Sequence, residues 1–451
     1  MFERKIYDRL LEWKRTSNGS KALLIEGARR IGKSTIVEEF AKREYRSYIL
    51  IDFNRVNDVV IEAFRHFGAK LDDFFMVLKA EYNVELYKRE SLIIFDEVQK
   101  YPHAREMVKY FVADGRYDYI ETGSLISIKE NVKDITIPSE ERIIKMYPMD
   151  FEEFCWALGN RQILDVIRDY FNRREALPRG LHNTAMLLFR QYLMIGGMPK
   201  SVDMYLSNGK DFEKADIEKR DILALYREDI RKIDRKYQAK VQATFDHIPA
   251  FLSKHEKRVV ISKIDPSAKI ESYEDSFFWL SDSMICNECF NCNDPNVGLS
   301  INEERTFVKC YMGDTGLLVS HAFDEDEIMS GNLYRGILFD KLSINEGMLY
   351  ENAIAQMLVS NGHRLFFYTR YNQEKHRNDI EIDFILSDGG KVKGKIIPIE
   401  VKSACKYSIT SLQRFNEKYR NRISSSYVIH PRNLIVKDGV VCIPPYMTFC
   451  L

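Results

Sequence analysis

No apolar run in this chain approaches the ~20 residues that a helix needs to cross a bilayer. The charged opening MFERKIYDRLLEWKR also lacks the apolar core of a secretory leader. The expected compartment is the cytoplasm, with no membrane partner. An excess of one charge is missing too. The 67 Lys plus Arg balance 67 Asp plus Glu, so no global field draws the chain to polyanions, and any nucleic-acid contact must rest on a local patch. Cysteine is sparse, with eight in 451 residues, which argues against a disulfide framework and predicts reduced thiols. There are no internal repeats and no low-complexity tracts. What remains is ordinary globular material, 45% hydrophobic and 30% charged, long enough for roughly two to four domains.

The most informative early stretch is LLIEGARRIGKSTIVEEF, Leu23 to Phe40. Gly27 and Gly32 stand five apart and are followed by Lys33 and Ser34, the spacing of a phosphate-binding loop. A short apolar strand precedes it, and Ile36, Val37 and Phe40 mark one face of a following helix. Such a loop turns backbone N–H groups onto phosphate oxygens, and the helix N-terminus adds its positive end. The expected cradle is Gly27, Ala28, Arg29, Arg30, Ile31, Gly32, Lys33, Ser34 and Thr35. Lys33 would reach the β/γ-phosphates, and the Ser34 hydroxyl would ligate Mg²⁺.

A phosphate loop needs acidic partners, and SLIIFDEVQKYP supplies them. Leu92 to Phe95 read as a parallel strand buried on both faces. Asp96 and Glu97 then fall at its carboxyl edge, where doubly wound sheets bind ligands. Asp96 is expected to hold Mg²⁺ through its water shell, and Glu97 to orient or deprotonate an attacking water. Ser47 to Phe53 and Tyr117 to Ser124 fit the same sheet, the second ending in Thr122 and Ser124, whose hydroxyls could sense a γ-phosphate. The strand continues Asp-Glu-Val-Gln without Asp-x-x-Gly, which argues against GTP, and SKID at 262–265 reads as a turn.

The loop, IIFDEVQ, ETGS and RIIKMYPMDFEEF (Arg142 to Phe154) resemble one group of prokaryotic AAA-type ATPases. Their next hallmark, a GG-P turn, has its counterpart in YLMIGGMPKSV, Tyr192 to Val202. The resemblance implies ATP as ligand, an AAA-type doubly wound parallel sheet and a homo-oligomer. It also implies that Arg142 acts as a γ-phosphate sensor or finger. Two positions depart from the pattern: Ala28 replaces a common proline, and Glu141 stands where glycine usually precedes the arginine.

From Leu158 to about Asp234 the pattern is helical and charged, with a stripe of Ile222, Leu225 and Tyr226 and the charges expected on a solvated face. Tyr237 to about Val319 reads as helix, helix and hairpin, resembling a winged helix, and CNECFNCND as a wing strand. Its second helix is acidic around Phe277, Phe278 and Trp279. Such a helix repels phosphate, so packing against protein is favoured over DNA reading. Cys286, Cys289 and Cys292 are spaced C-x₂-C-x₂-C, but a tetrahedral site needs a fourth ligand and only Cys310 is near in sequence. The thiols are therefore expected to be structural.

Near the end, DIEIDFILSDGGKVKGKIIPIEVKSA gives two strands around a Gly-Gly turn. Ile380, Ile382 and Phe384 share one face, which puts Glu381 and Asp383 on the other; Glu400 and Lys402 project together from the second strand. Two carboxylates would bind Mg²⁺, and the lysine would polarise a water. This resembles the PD-(D/E)xK nuclease fold, with Ile382 in place of the leading proline and Glu351 as an additional helical acid. The resemblance implies Glu351, Asp383 and Glu400 as metal ligands, Asp383, Glu400 and Lys402 as the catalytic set, and DNA as partner. The same ATPase group ends in such a domain, and GDTGLL, YEN, IPIEVKSA and SLQRFNEKY fit it. The expected fold is α/β throughout. A P-loop doubly wound domain (1–157) is followed by a helical lid (158–235), a winged-helix-like region (236–325) and a restriction-endonuclease-like domain (326–451). Two functions remain open, a nuclease-coupled ATPase and an ATP-operated switch whose last domain only binds DNA or a protein.

Overall fold

The computed structural model describes residues 1–451 except 68–69, 125–137, 255–256, 260, 262–269, 297, 325–333, 335, 337–345, 373, 375–376 and 390–393. The SKID stretch and the domain boundary expected at 326 lie outside the described residues. The chain forms two compact units, one of Met1–Tyr147 with Asp282–Met284 and one of the remainder. The first unit thus ends ten residues before the expected 157, because the helix Phe151–Ala157 is part of the second. Among the described residues no helix is long and apolar enough to cross a membrane.

The first unit is built on β1 (Ala22–Glu26), β2 (Ser47–Asp52), β3 (Ser91–Asp96), β4 (Asp118–Gly123) and β5 (Glu141–Lys145). They lie in the order β2-β3-β4-β1-β5, every neighbour parallel. All six residues of β3 and of β4 are buried, as expected of a parallel sheet covered on both faces. On one side the cover is aromatic. Phe111 stacks on Phe74 at 5.1 Å and on Tyr119 at 5.4 Å between ring centroids, offset contacts that add to simple area burial. This order places β4 between β1 and β3, so the carboxyl ends of these three strands open side by side.

In the second unit, helices from Phe151 to Asp246 precede a mixed sheet. Its strands are β6 (Cys286–Cys292), β7 (Glu303–Met312), β8 (Leu365–Asn372), β9 (Arg377–Ser387), β10 (Ile396–Val401), β11 (Ser426–Ile429), β12 (Ile435–Lys437) and β13 (Val440–Ile443). The order is β12-β13-β11-β10-β9-β8-β6-β7. The hairpin read as a wing is therefore part of this sheet. Cys289, Phe290 and Asn291 pair in parallel with Leu365, Phe366 and Phe367 of β8, and the inner half of β7 is buried at every position. Strands so covered cannot project as a wing.

The charged helix Phe212–Arg231 also differs from its expected solvated face. Asp216 and Lys219 are fully buried. Asp216 accepts from Arg220 at 2.8 Å, Ser320 at 2.6 Å and Tyr334 at 2.7 Å. Lys219 donates to Met194 O at 2.8 Å and to Tyr334 Oη at 2.9 Å. Buried charges survive when each finds polar partners, and sequence spacing does not reveal partners a hundred residues away. The GG-P turn has a packing cause. A Cβ on Gly197 would fall 1.9 Å from the Met149 carbonyl oxygen, and Asp314 of GDTGLL accepts from the Gly197 N–H at 2.5 Å.

Candidate functional site

The loop after β1 takes its shape from two glycines. A Cβ on Gly27 would lie 2.6 Å from the Met146 carbonyl oxygen, and Gly32 has φ 92°. The first allows a close approach, and the second sits in the left-handed region that favours glycine. Ala28 and Ile31 are buried, Arg29 is half-buried, and Arg30 and Thr35 are exposed. Arg4 Nη1 donates to Ile31 O at 2.9 Å and braces the loop from behind. No motif in the sequence marks that arginine. Lys33 is buried and its Nζ donates to Gly27 O and Ala28 O, both at 2.8 Å. Burial pushes its pKa down to about 8, against the pull of Glu97 and Asp96.

The three strand ends converge as the sheet order requires. Ser34 Oγ donates to Asp96 Oδ1 at 2.7 Å, and Thr122 Oγ1 donates to the same oxygen. Glu97 has φ 55°, and its N–H donates to Thr122 Oγ1 at 3.4 Å. The Glu97 carboxylate accepts from Gln99 Nε2 at 2.5 Å and from Ser124 Oγ at 3.5 Å. Gln99, which the sequence reading passed over, thus ties Glu97 to the end of β4. The donors on Asp96 are neutral hydroxyls, so its negative charge is not cancelled there. That donor set fits a hard cation such as Mg²⁺, with the Ser34 hydroxyl and Asp96 as the residues that would hold it.

Arg142 is not brought to this site. It pairs with Leu23 near the start of β1, about 13 Å from the loop at ~3.3 Å per residue. It is exposed, and its Nη1 donates to Thr16 Oγ1 at 3.4 Å. The neighbouring Glu141 has a structural partner, because Arg105 grips it with two nitrogens at 3.1 Å and 2.7 Å. That buried pair accounts for an acid where a glycine was expected.

In the second unit Glu351, Asp383, Glu400 and Lys402 do line one cleft of about 690 Å³. Glu351 comes from the helix Glu346–Ser360, Asp383 from β9, Glu400 from β10 and Lys402 just beyond it. Three residues the sequence reading missed meet these carboxylates, Lys257 from the cleft lining and Lys309 and Tyr311 from the buried layer behind it. Lys309 of β7 lies 3.2 Å from Glu351 Oε1 and 3.5 Å from Asp383 Oδ1. Tyr311 Oη donates to Glu351 Oε1, and Lys257 pairs with Glu351 Oε2. Lys257 is placed by a bridge between Arg258 and Lys309. The clue in the sequence was a lysine inside an apolar strand, FVKCYM, which demands a buried counter-charge.

The two glutamates are pushed in opposite directions. Burial would raise the Glu351 pKa, but Lys257 and Lys309 override it and hold it at about 2. Burial raises Glu400 to about 7, only partly offset by Lys402 at 2.6 Å. Among the described residues no group of three or more His, Cys, Asp or Glu is arranged to hold a metal ion. Glu351 and Asp383, two of the three carboxylates expected to be metal ligands, share the Lys309 ammonium instead, so that pair does not fit a divalent ion. Cys286, Cys289, Cys292 and Cys310 are free and buried, and burial raises the pKa of the first three.

Comparison with known proteins agrees with the first unit. Residues 19–155 match the family model of an AAA domain. Residues 186–327 and 346–447 match two domains of unknown function, DUF8612 and DUF4143. No curated protein matches the chain. Among solved structures, a Walker-type ATPase of Pyrococcus abyssi is 16% identical, with 71% of this chain and 96% of that one covered and a TM-score of 0.42. A signal-transduction ATPase with a tetratricopeptide repeat sensor from Pyrococcus horikoshii is 12% identical over 79% of this chain and 48% of its own, at a TM-score of 0.26. Cdc6p of Pyrobaculum aerophilum is 12% identical over 74% and 92%, at a TM-score of 0.24. The family match, the glycine-framed loop and the five-stranded parallel sheet agree: residues 19–155 form a P-loop domain of AAA type.

Proposed function

We propose that the chain is a Mg²⁺-dependent ATPase whose nucleotide state controls how the cleft of the second unit engages nucleic acid. The observation that carries the first half is the meeting of Ser34 and Thr122 on one oxygen of Asp96, beside a buried lysine. In this reading Lys33 exchanges the carbonyls of Gly27 and Ala28 for β/γ-phosphate oxygens. Glu97, held by Gln99 and Ser124, orients the water that attacks the γ-phosphate. Bound Mg²⁺ would neutralise charge on the phosphate oxygens, with Ser34 and Asp96 holding it. The N-terminus of the helix Lys33–Glu44 adds backbone N–H groups to the cradle.

The second half rests on the lining of the cleft, where Lys254, Lys402 and Lys406 accompany the hydroxyls of Ser403 and Thr410. Lysines and hydroxyls are the groups that take up phosphate oxygens. Phosphate-release assays test the ATPase. Lys33→Ala abolishes turnover, whereas Glu97→Gln still binds ATP but hydrolyses it slowly. Full-rate hydrolysis by Glu97→Gln removes that residue from its role. Labelled DNA incubated with Mg²⁺ or Mn²⁺ and ATP, beside Asp383→Ala and Lys402→Ala, separates cutting from binding.

A further inference from the structure

Two carboxylates of the second-unit cleft, Glu351 and Asp383, already have their counter-charges. Glu351 Oε1 faces Lys309 and Tyr311, and its Oε2 faces Lys257. Asp383 Oδ1 faces Lys309 at 3.5 Å, and its Oδ2 accepts from the Val401 N–H at 2.8 Å. Every oxygen of that pair is engaged, and the group between them is an ammonium only 1% exposed. A divalent cation would have to expel this lysine from a closed, hydrogen-bonded site, leaving a buried ammonium without partners. One acceptor is left over. Glu400 lines the cleft with a side chain 5% exposed, and its buried Oε2 has no hydrogen-bond partner. A buried polar atom without a partner calls for a ligand group to satisfy it.

We propose that this cleft is a metal-independent binding site for a phosphodiester backbone. Lys309 supplies, between Glu351 and Asp383, the positive charge that a divalent cation would otherwise bring. Lys402, Lys406 and Lys254 at the cleft lining take the phosphate oxygens. Glu400 Oε2 accepts from a hydroxyl or amine of the same polymer. The inference rests on the reading that the cleft engages nucleic acid, and it adds how the site does so without metal.

Fluorescence anisotropy on the full chain tests it, using labelled DNA and RNA strands of one sequence, each in EDTA and in Mn²⁺. Affinity in EDTA is expected within about twofold of that in Mn²⁺, and Lys402→Ala with Lys406→Ala weakens it about tenfold or more. Tighter binding of RNA assigns the sugar hydroxyl to Glu400, and equal binding assigns a base amine. Binding lost in EDTA and restored by Mn²⁺, or cleavage of either strand, overturns metal independence while leaving the nucleic-acid reading intact. No binding of either polymer under any condition overturns both. As a second arm, Mn²⁺ is counted by electron paramagnetic resonance without nucleotide. Lys309→Met is expected to bind one more ion per chain than the parent, and an equal count in the folded variant overturns the inference. Should Lys309→Met not fold, Lys309→Arg, which keeps the charge, must retain binding in EDTA; its loss there counts against the proposal.

Discussion

Two acidic centres in this molecule use similar carboxylates in opposite ways. In the first unit Asp96 accepts from two hydroxyls, Ser34 and Thr122. Those bonds fix its position and leave its charge available to a cation. In the second unit Glu351 and Asp383 share the Lys309 ammonium, and Lys257 and Tyr311 complete Glu351. There the charge is spent inside the protein. The lesson is that a carboxylate motif states where negative charge stands, while its partners decide whether a metal can use it.

The sharpest way to break this contrast is at the loop. Lys33→Ala should lower ATP turnover at least ~100-fold, the scale seen when one charge-stabilising donor is removed from a reacting site. Unfolding by urea should shift little. Next in size is Glu351→Gln, which should act on stability instead. It leaves Lys309 and Lys257 without their shared carboxylate and should cost about 3–5 kcal/mol at pH 7. The Glu351 pKa is depressed to about 2. Its contribution is therefore present above the ordinary glutamate range and fades as pH falls through about 2. The gap between parent and variant should narrow in urea melts taken at pH 3, and an unchanged gap would remove the ion pairs from the account.

Thr122→Val should have a smaller effect, removing one donor to Asp96 and slowing turnover by roughly tenfold, about 1.4 kcal/mol. The smallest effect concerns pH and the cleft. The Glu400 pKa is raised to about 7, so acidification from pH 8 to 6 removes a negative charge beside Lys402. Affinity for a nucleic-acid strand should rise by about two- to threefold over that range, as a charge that repels phosphate is lost. Glu400→Gln should flatten the response, and a slope that persists in the variant assigns it elsewhere.

Much of the first site is legible from residue spacing because its parts are local. A strand, a glycine loop and a helix N-terminus follow within twenty residues, and Asp96 ends an apolar run that can only be a buried strand. Alternation along β9 and β10 likewise foretells that Asp383 and Glu400 share a cleft. Register is what the sequence withholds. Nothing in RIIKM says that Arg142 lies level with Leu23 rather than with Gly27. Lys309 and Lys257 were missed for a similar reason. They reach Glu351 because β6 and β7 join a sheet whose other strands lie farther along the chain.

That placement of β6 and β7 bears on how the protein can be divided. A fragment starting at residue 326 would strip both strands from β8 and expose a row of unpaired backbone donors and acceptors beside Leu365, Phe366 and Phe367. Such an edge invites pairing with a second chain and insoluble product. A soluble piece of the C-terminal half must therefore be cut ahead of Cys286, so that the hairpin travels with the strands it seals.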